Sequence, residues 1–158
     1  MAGSPHYREL LETFNKHEVD YLIVGGYAVM RYSEPRYTKD LDVWVSSSAG
    51  NSRKVFQALA HFGAPLHHDG VTEDTFTKRV VYQLGVVPVR VDVSTHIDGV
   101  AFEEAWRNRE VSTMFGVPVH FISLQDLIAN KQAAGRSGDL ADLDRIRKLA
   151  SKGEGKSS

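Results

Sequence analysis

The strongest constraint on this chain is the way its apolar residues are broken up. Tyr21-Leu22-Ile23-Val24 is a short apolar run that stops at Gly25-Gly26. Leu41, Val43 and Val45 alternate with Asp42 and Trp44. Val80–Leu84, Val87–Val93 and Val117–Ile122 are further short runs rich in β-branched residues. Runs of this length, bounded by turn residues, predict strands. Helical spacing fills the gaps between them. Residues 6–17 place Leu10, Leu11 and Phe14 on one face, residues 27–32 open a helix, and residues 52–62 turn Val55, Phe56 and Leu59 inward. A short helix is expected over 102–107. Ser123 is a helix N-cap, with Asp126 in the place of a capping-box acid, for a helix running to about Ala134. Gly135 to Gly138 breaks the chain before a last helix carrying Leu140, Leu143, Ile146 and Leu149. Residues 33–39 form a loop, because Pro35 disfavours a helical backbone at Glu34. Residues 63–78 are polar and turn-rich, and Gly85-Val86 joins a hairpin. Interleaved strands and helices imply an α/β (α+β) fold, a mixed sheet with helices packed on it.

Its 158 residues suit one domain, read here as residues 1–150 with a disordered tail over 151–158. A core of that size buries roughly 68–70% of the unfolded surface, so no staple is needed. The absence of cysteine excludes thiol catalysis, Cys-ligated zinc and disulfides. Lys and Arg number 19 against 20 Asp and Glu, a balance unlike that of a general DNA binder. Residues 1–7 contain no apolar run like a secretory signal, and no stretch approaches a membrane span. The expectation is a soluble cytoplasmic protein.

The residues that carry chemistry are acids. Asp40 and Asp42 stand two apart at the start of a strand and so share a face. Two adjacent carboxylates repel unless a cation or a proton lies between them. Magnesium prefers one or two carboxylates plus phosphate oxygens and water. An Asp-x-Asp also occurs on solvated strand edges, so the pair needs company. Asp92 lies on a strand whose Val89, Val91 and Val93 form one face and whose Arg90, Asp92 and Ser94 form the other. If that strand lies beside the first, three acids converge and can hold two magnesium ions about 3.5–4 Å apart. Gly25-Gly26 ends a strand and opens a helix, where free N–H groups attract phosphate and no side chain blocks close approach.

Val24-Gly25-Gly26-Tyr27-Ala28, then Pro35-Arg36-Tyr37-Thr38-Lys39-Asp40-Leu41-Asp42, then Asp92 resemble the DNA polymerase β-like nucleotidyltransferase superfamily. The segment Pro-Arg-x-Thr-x-Asp-Leu-Asp looks like its small prokaryotic members, which include toxins of abortive-infection type toxin–antitoxin pairs. The stretch from Leu127 through Lys131, Arg136, Asp139 and Asp142 to Leu143 is similar to the closing helices of that family. Where related sequences read His-Gly-x-Pro-Arg, this chain has Tyr32-Ser33-Glu34-Pro35-Arg36. The resemblance implies a nucleotidyltransferase fold and transfer of a nucleoside monophosphate from an NTP, such as ATP, with pyrophosphate leaving. It implies that Asp40 and Asp42 bind both of two magnesium ions, with manganese as an alternative, and that Asp92 binds the catalytic one. The acceptor is left open between a small molecule, a protein and an RNA end. A toxin neutralised by an antitoxin partner and a non-catalytic nucleotide-binding module are the competing readings.

Gly25, Gly26, Arg36, Thr38 and Lys131 are the candidate nucleotide-binding residues, Lys131 as a point charge on phosphate. Arg136 is a weaker phosphate candidate. Asp139 and Asp142 are read as favouring the dipole of the last helix. His67 and His68 are read as ordinary loop residues, His96 as a loop histidine near the site, and Trp44 and Trp106 as packing residues.

Overall fold

The computed structural model describes residues 5–86 and 89–157, with side chains described over 6–86 and 89–151. The first helix, α1 (Pro5–Lys16), leads through a tight turn into β1 (Tyr21–Val24). Then follow α2 (Gly25–Arg31), β2 (Asp40–Val45) and α3 (Ala49–Phe62). The hairpin strands are β3 (Val81–Leu84) and β4 (Arg90–Ser94). The chain closes with α4 (Phe102–Arg107), β5 (Glu110–Met114), β6 (Val117–Phe121), α5 (Leu124–Ala134) and α6 (Ser137–Ser157).

Six strands form one mixed sheet in the order β3-β4-β2-β1-β6-β5. The β1–β2, β3–β4 and β5–β6 pairs are antiparallel, whereas β1–β6 and β2–β4 are parallel. Strand alternation divides the core in two. Tyr21 and Ile23 of β1, Leu41, Val43 and Val45 of β2, and Val91 and Val93 of β4 pack with Leu10, Leu11 and Phe14 of α1 and Val55 and Leu59 of α3. Leu22, Val24 and Trp44 point the other way, against Ala28, Val29, Phe102, Leu127 and Ile146 of the remaining helices. Asp40, Asp42 and Asp92 share that second face, beyond the point where its helices cover it.

Several boundaries differ from expectation, each for a physical reason. Helix α3 begins at Ala49 instead of residue 52, capped by Ser48, whose hydroxyl accepts from the Asn51 N–H. Its first turn is buried through polar side chains: Asn51 bonds the backbone of Asp20 and Ser46. An apolar periodicity cannot register such a turn. Strand β5 was not foreseen, because an edge strand buried on neither face lacks an apolar stripe. The hairpin connection is wider than Gly85-Val86, since Leu84 pairs with Val91 and the Val89 N–H donates to the Val86 carbonyl at 2.8 Å. Val87, expected to open β4, lies outside the described residues. Helix α6 continues to Ser157, through most of the segment read as a disordered tail. Growth of an existing helix adds one hydrogen bond per residue, so polar composition alone does not stop it. Among the described residues no helix is long and apolar enough to cross a membrane.

Candidate functional site

Strand pairing brings the three acids together. Val24 lies opposite Asp42 across β1–β2, and the parallel β2–β4 register sets Asp42 beside Asp92 and Asp40 beside Arg90. One carboxylate oxygen from each of Asp40, Asp42 and Asp92 lies within 4.8 Å of the others. Among the described residues this is the one such group of three. Asp42 is strongly perturbed. Burial, then the charges of Asp40 and Asp92, push its carboxyl up to about 7, against the weaker pull of Lys131 and Arg90. A carboxyl in that condition is short of positive charge.

The triad lines a cleft of about 590 Å³ whose other walls include Gly25, Gly26, Arg36, Thr38 and Lys131, a volume in the range of small-ligand sites. Gly25 has φ +66°, and a Cβ there would run into the Asp42 carboxylate. A Cβ on Gly26 would stand 2.5 Å from the Thr38 hydroxyl. Gly25 is therefore required by the turn and by what sits against it, and Gly26 by what sits against it. Helix α2 has no side-chain cap, so its first N–H groups keep their bonding capacity.

Positive charge arrives from the opposite wall. Lys131 of α5 is 7% exposed, which excludes a solvated helix lysine. Its Nζ lies 3.2 Å from both Asp139 Oδ1 and Asp142 Oδ2 of α6. Asp142 also reaches Arg36 at 3.5 Å, and Asp139 accepts from the Arg136 side chain at 2.8 Å and from its backbone N–H. Asp139 does lie in the first turn of α6, as the helix-dipole reading has it, but the ion pairs give Asp139 and Asp142 a further role. Both are buried and hold the cations that face the cleft. Burial alone would raise the Asp139 carboxyl, but hydrogen bonds from Arg136 and Lys131 outweigh it and hold it below the ordinary value. Among the described residues the Arg36 Nε is buried with no hydrogen-bond partner, and a buried orphan donor of this kind calls for an acceptor.

Sequence reasoning placed Arg90 on the acid face but gave it no role. Its guanidinium grips Asp92 with two hydrogen bonds, Nε to Oδ1 at 2.9 Å and Nη2 to Oδ2 at 2.8 Å. The available signal was its position two residues before Asp92. His96 lines the cleft beside Ser94 and lies 3.6 Å from Asp98. His67 and His68 are exposed away from the cleft, with His68 paired to Asp69. Trp44 and Trp106 both pack on Phe102.

Solved structures share this architecture. The lincomycin-bound lincosamide antibiotic adenylyltransferase LnuA superposes with a TM-score of 0.58 at 16% identity, over 94% of this chain and 98% of that one. A putative nucleotidyltransferase from Thermotoga maritima, TM1012, gives 0.56 at 12% identity, over 92% and 91%. An antigenic nucleotidyltransferase-like protein from Paracoccidioides brasiliensis gives 0.50 at 20% identity, over 89% and 72%. At these identities the likeness establishes the nucleotidyltransferase fold. No curated protein sequence matches the chain. A family model described as nucleotidyl transferase of unknown function (DUF2204) matches residues 4–157, and the chain belongs to that family.

Proposed function

We propose that this protein transfers a nucleoside monophosphate from an NTP to a nucleophilic group of an acceptor, using magnesium, or manganese in its place, at Asp40, Asp42 and Asp92. The observation that carries the reading is the parallel β2–β4 register, which sets Asp92 beside Asp42 at the mouth of a glycine-lined cleft. The donor set fits a hard divalent cation: carboxylate oxygens close together and, at Asp42, short of positive charge. Asp40 and Asp42 would hold both ions and Asp92 one of them, and bound there the ions would neutralise phosphate charge and acidify the attacking hydroxyl.

The remaining residues position the nucleotide. Gly25 and Gly26 let phosphate oxygens approach the main chain. Arg36 offers its guanidinium from the cleft wall, and Lys131 offers a point charge held in place by two aspartates. Thr38, whose hydroxyl bonds the Asp40 carbonyl at 3.2 Å, ties this wall to the metal strand. In the reaction the acceptor forms a bond to the α-phosphorus as the bond to pyrophosphate breaks. Catalysis of this class rests on positioning and charge neutralisation.

The test is transfer from each α-labelled NTP with magnesium, offered to small molecules, proteins and RNA ends in parallel. Wild type labels one acceptor class and Asp42→Ala does not. Equal labelling by both proteins would sink the proposal. Growth arrest on expression, relieved by a partner gene, would identify the toxin form of the same chemistry.

A further inference from the structure

We infer that Arg90 is a resident counter-ion that competes with the divalent cation for Asp92 and so keeps metal affinity low in the nucleotide-free protein. The inference rests on the reading of the triad as a metal site. Its support is the geometry around β4. Arg90 and Asp92 are two apart on one strand and point to the same side. The register also sets Arg90 directly beside Asp40. The guanidinium therefore engages both oxygens of Asp92, at 2.9 and 2.8 Å, and lies 3.7 Å from Asp40 Oδ2. It bridges two of the three acids, as a metal ion would. Charge-assisted fork contacts of this kind are strong and directional. A divalent cation on the same oxygens would meet a fixed positive charge at short range, so Arg90 must yield before Asp92 is free.

Two further features make this a device instead of an incidental pair. The Tyr7 hydroxyl of α1 donates to the Arg90 carbonyl at 3.1 Å, so the main chain is tied and the change falls on the side chain. The Arg90 side chain is also 27% exposed, against 14% for Asp92, so it has solvent to swing into. Among the described residues Asp42 has no such arginine clasp. The three acids are thus unequal: Asp42 is held ready and Asp92 is held closed. In the metal-free protein the same contact relieves repulsion within the triad, so loss of Arg90 has two signatures of opposite sign.

The experiment compares wild type, Arg90→Gln, Arg90→Lys and Asp42→Asn without nucleotide. Free Mn²⁺ is followed by electron paramagnetic resonance, and thermal unfolding is recorded with and without Mg²⁺. Arg90→Gln is expected to bind Mn²⁺ about tenfold more tightly, because a fixed positive charge close to the ion is removed. It should also melt below wild type without metal and gain more from Mg²⁺. Arg90→Lys, which keeps the charge but cannot clasp both oxygens, should fall between them, and it carries the test if Arg90→Gln does not fold. Equal or weaker Mn²⁺ binding in both Arg90 variants, with binding lost in Asp42→Asn, overturns the role of Arg90 and leaves the metal site standing. No Mn²⁺ binding by any of the proteins overturns the metal-site reading and this inference with it.

Discussion

Two clusters of aspartates serve the cleft, one lining it and one behind the cations of its wall, and they are electrostatic opposites. Asp40, Asp42 and Asp92 sit on neighbouring strands, crowded with like charge, and Asp42 is pushed up to about 7 by burial and by its two neighbours. Asp139 and Asp142 sit on α6 and are more deeply buried, yet Asp139 is held below its ordinary value by Arg136 and Lys131. Burial opposes ionisation in both places. What differs is whether a cation is built in. The helix pair is satisfied by its own protein and serves to aim Lys131 and Arg36. Among the described residues the sheet triad has one arginine for three acids, and that shortage is what a bound divalent cation would fill.

The widest expected separation is in activity. Asp42→Asn should lower nucleotidyl transfer by two or more orders of magnitude, at or beyond the roughly 10–100-fold that loss of an outer-shell metal partner costs. In metal-free buffer at pH 8 its melting temperature should be unchanged or higher, because the repulsion is gone. A variant that lost stability along with activity would break the contrast.

Lys131→Met should do the reverse to the fold. It takes from Asp139 and Asp142 the buried lysine they share, leaving Arg136 on one and Arg36 on the other, a change worth at most the roughly 3–5 kcal/mol of an unpaired buried charge, at about 2–4 °C of melting temperature per kcal/mol for a chain of this size. Differential scanning calorimetry measures it. A shift of under 1 °C would mean that α6 does not depend on its lysine.

Gly25→Ala joins a positive φ of +66° to a collision with the Asp42 carboxylate. Backbone strain of this kind costs about 1–3 kcal/mol, and Mn²⁺ binding should weaken with it. Gly50→Ala, in open space, is the matched control for the same stability and binding measurements.

The pH dependence separates the clusters by sign. The native Asp42 carboxyl keeps its proton to about 7, whereas the unfolded one loses it near 3.8. Between those values the native state binds the extra proton, so metal-free stability falls as pH rises, by at most about 1.4 kcal/mol per pH unit. Asp139 is lowered, so its contribution is present above the ordinary carboxylate value and lost only as the solution becomes more acidic. Urea titrations across pH 3–8 should show Asp42→Asn flattening the fall between the ordinary carboxylate value and about 7, and Asp139→Asn changing the pH dependence only on the acid side of that range. The smallest effect belongs to the exposed Arg8–Glu12 pair: Arg8→Ala should stay within about 1 kcal/mol of wild type in the same titrations.

Much of the fold was legible because its strands obey a period of two and its helices start and stop on recognisable residues. Ser123 does cap α5 by accepting the Asp126 N–H, and Gly135 does end it in the left-handed region. Features lacking an apolar signature escaped. The polar first turn of α3 is held by Asn51, and β5 exists through its pairing with β6. The candidate site divides in the same way. Gly25, Gly26, Asp40 and Asp42 announce themselves by spacing within one segment. The roles of Arg90, Asp139 and Asp142 do not, because each is defined by a partner on another element or by a register.

Sequence alone determined that Asp40 and Asp42 share a face, since a strand turns its side chains over every second residue whatever surrounds it. It also determined that no cysteine chemistry operates here. The tertiary structure decided the rest. Parallel pairing of β2 with β4 brings Asp92 and Arg90 against the pair, and packing of α6 on α5 converts Lys131 from a surface lysine into a buried, fixed charge. Local geometry is written in neighbouring residues, but electrostatic environment depends on what distant segments bring within a few ångströms, and only the folded chain specifies that.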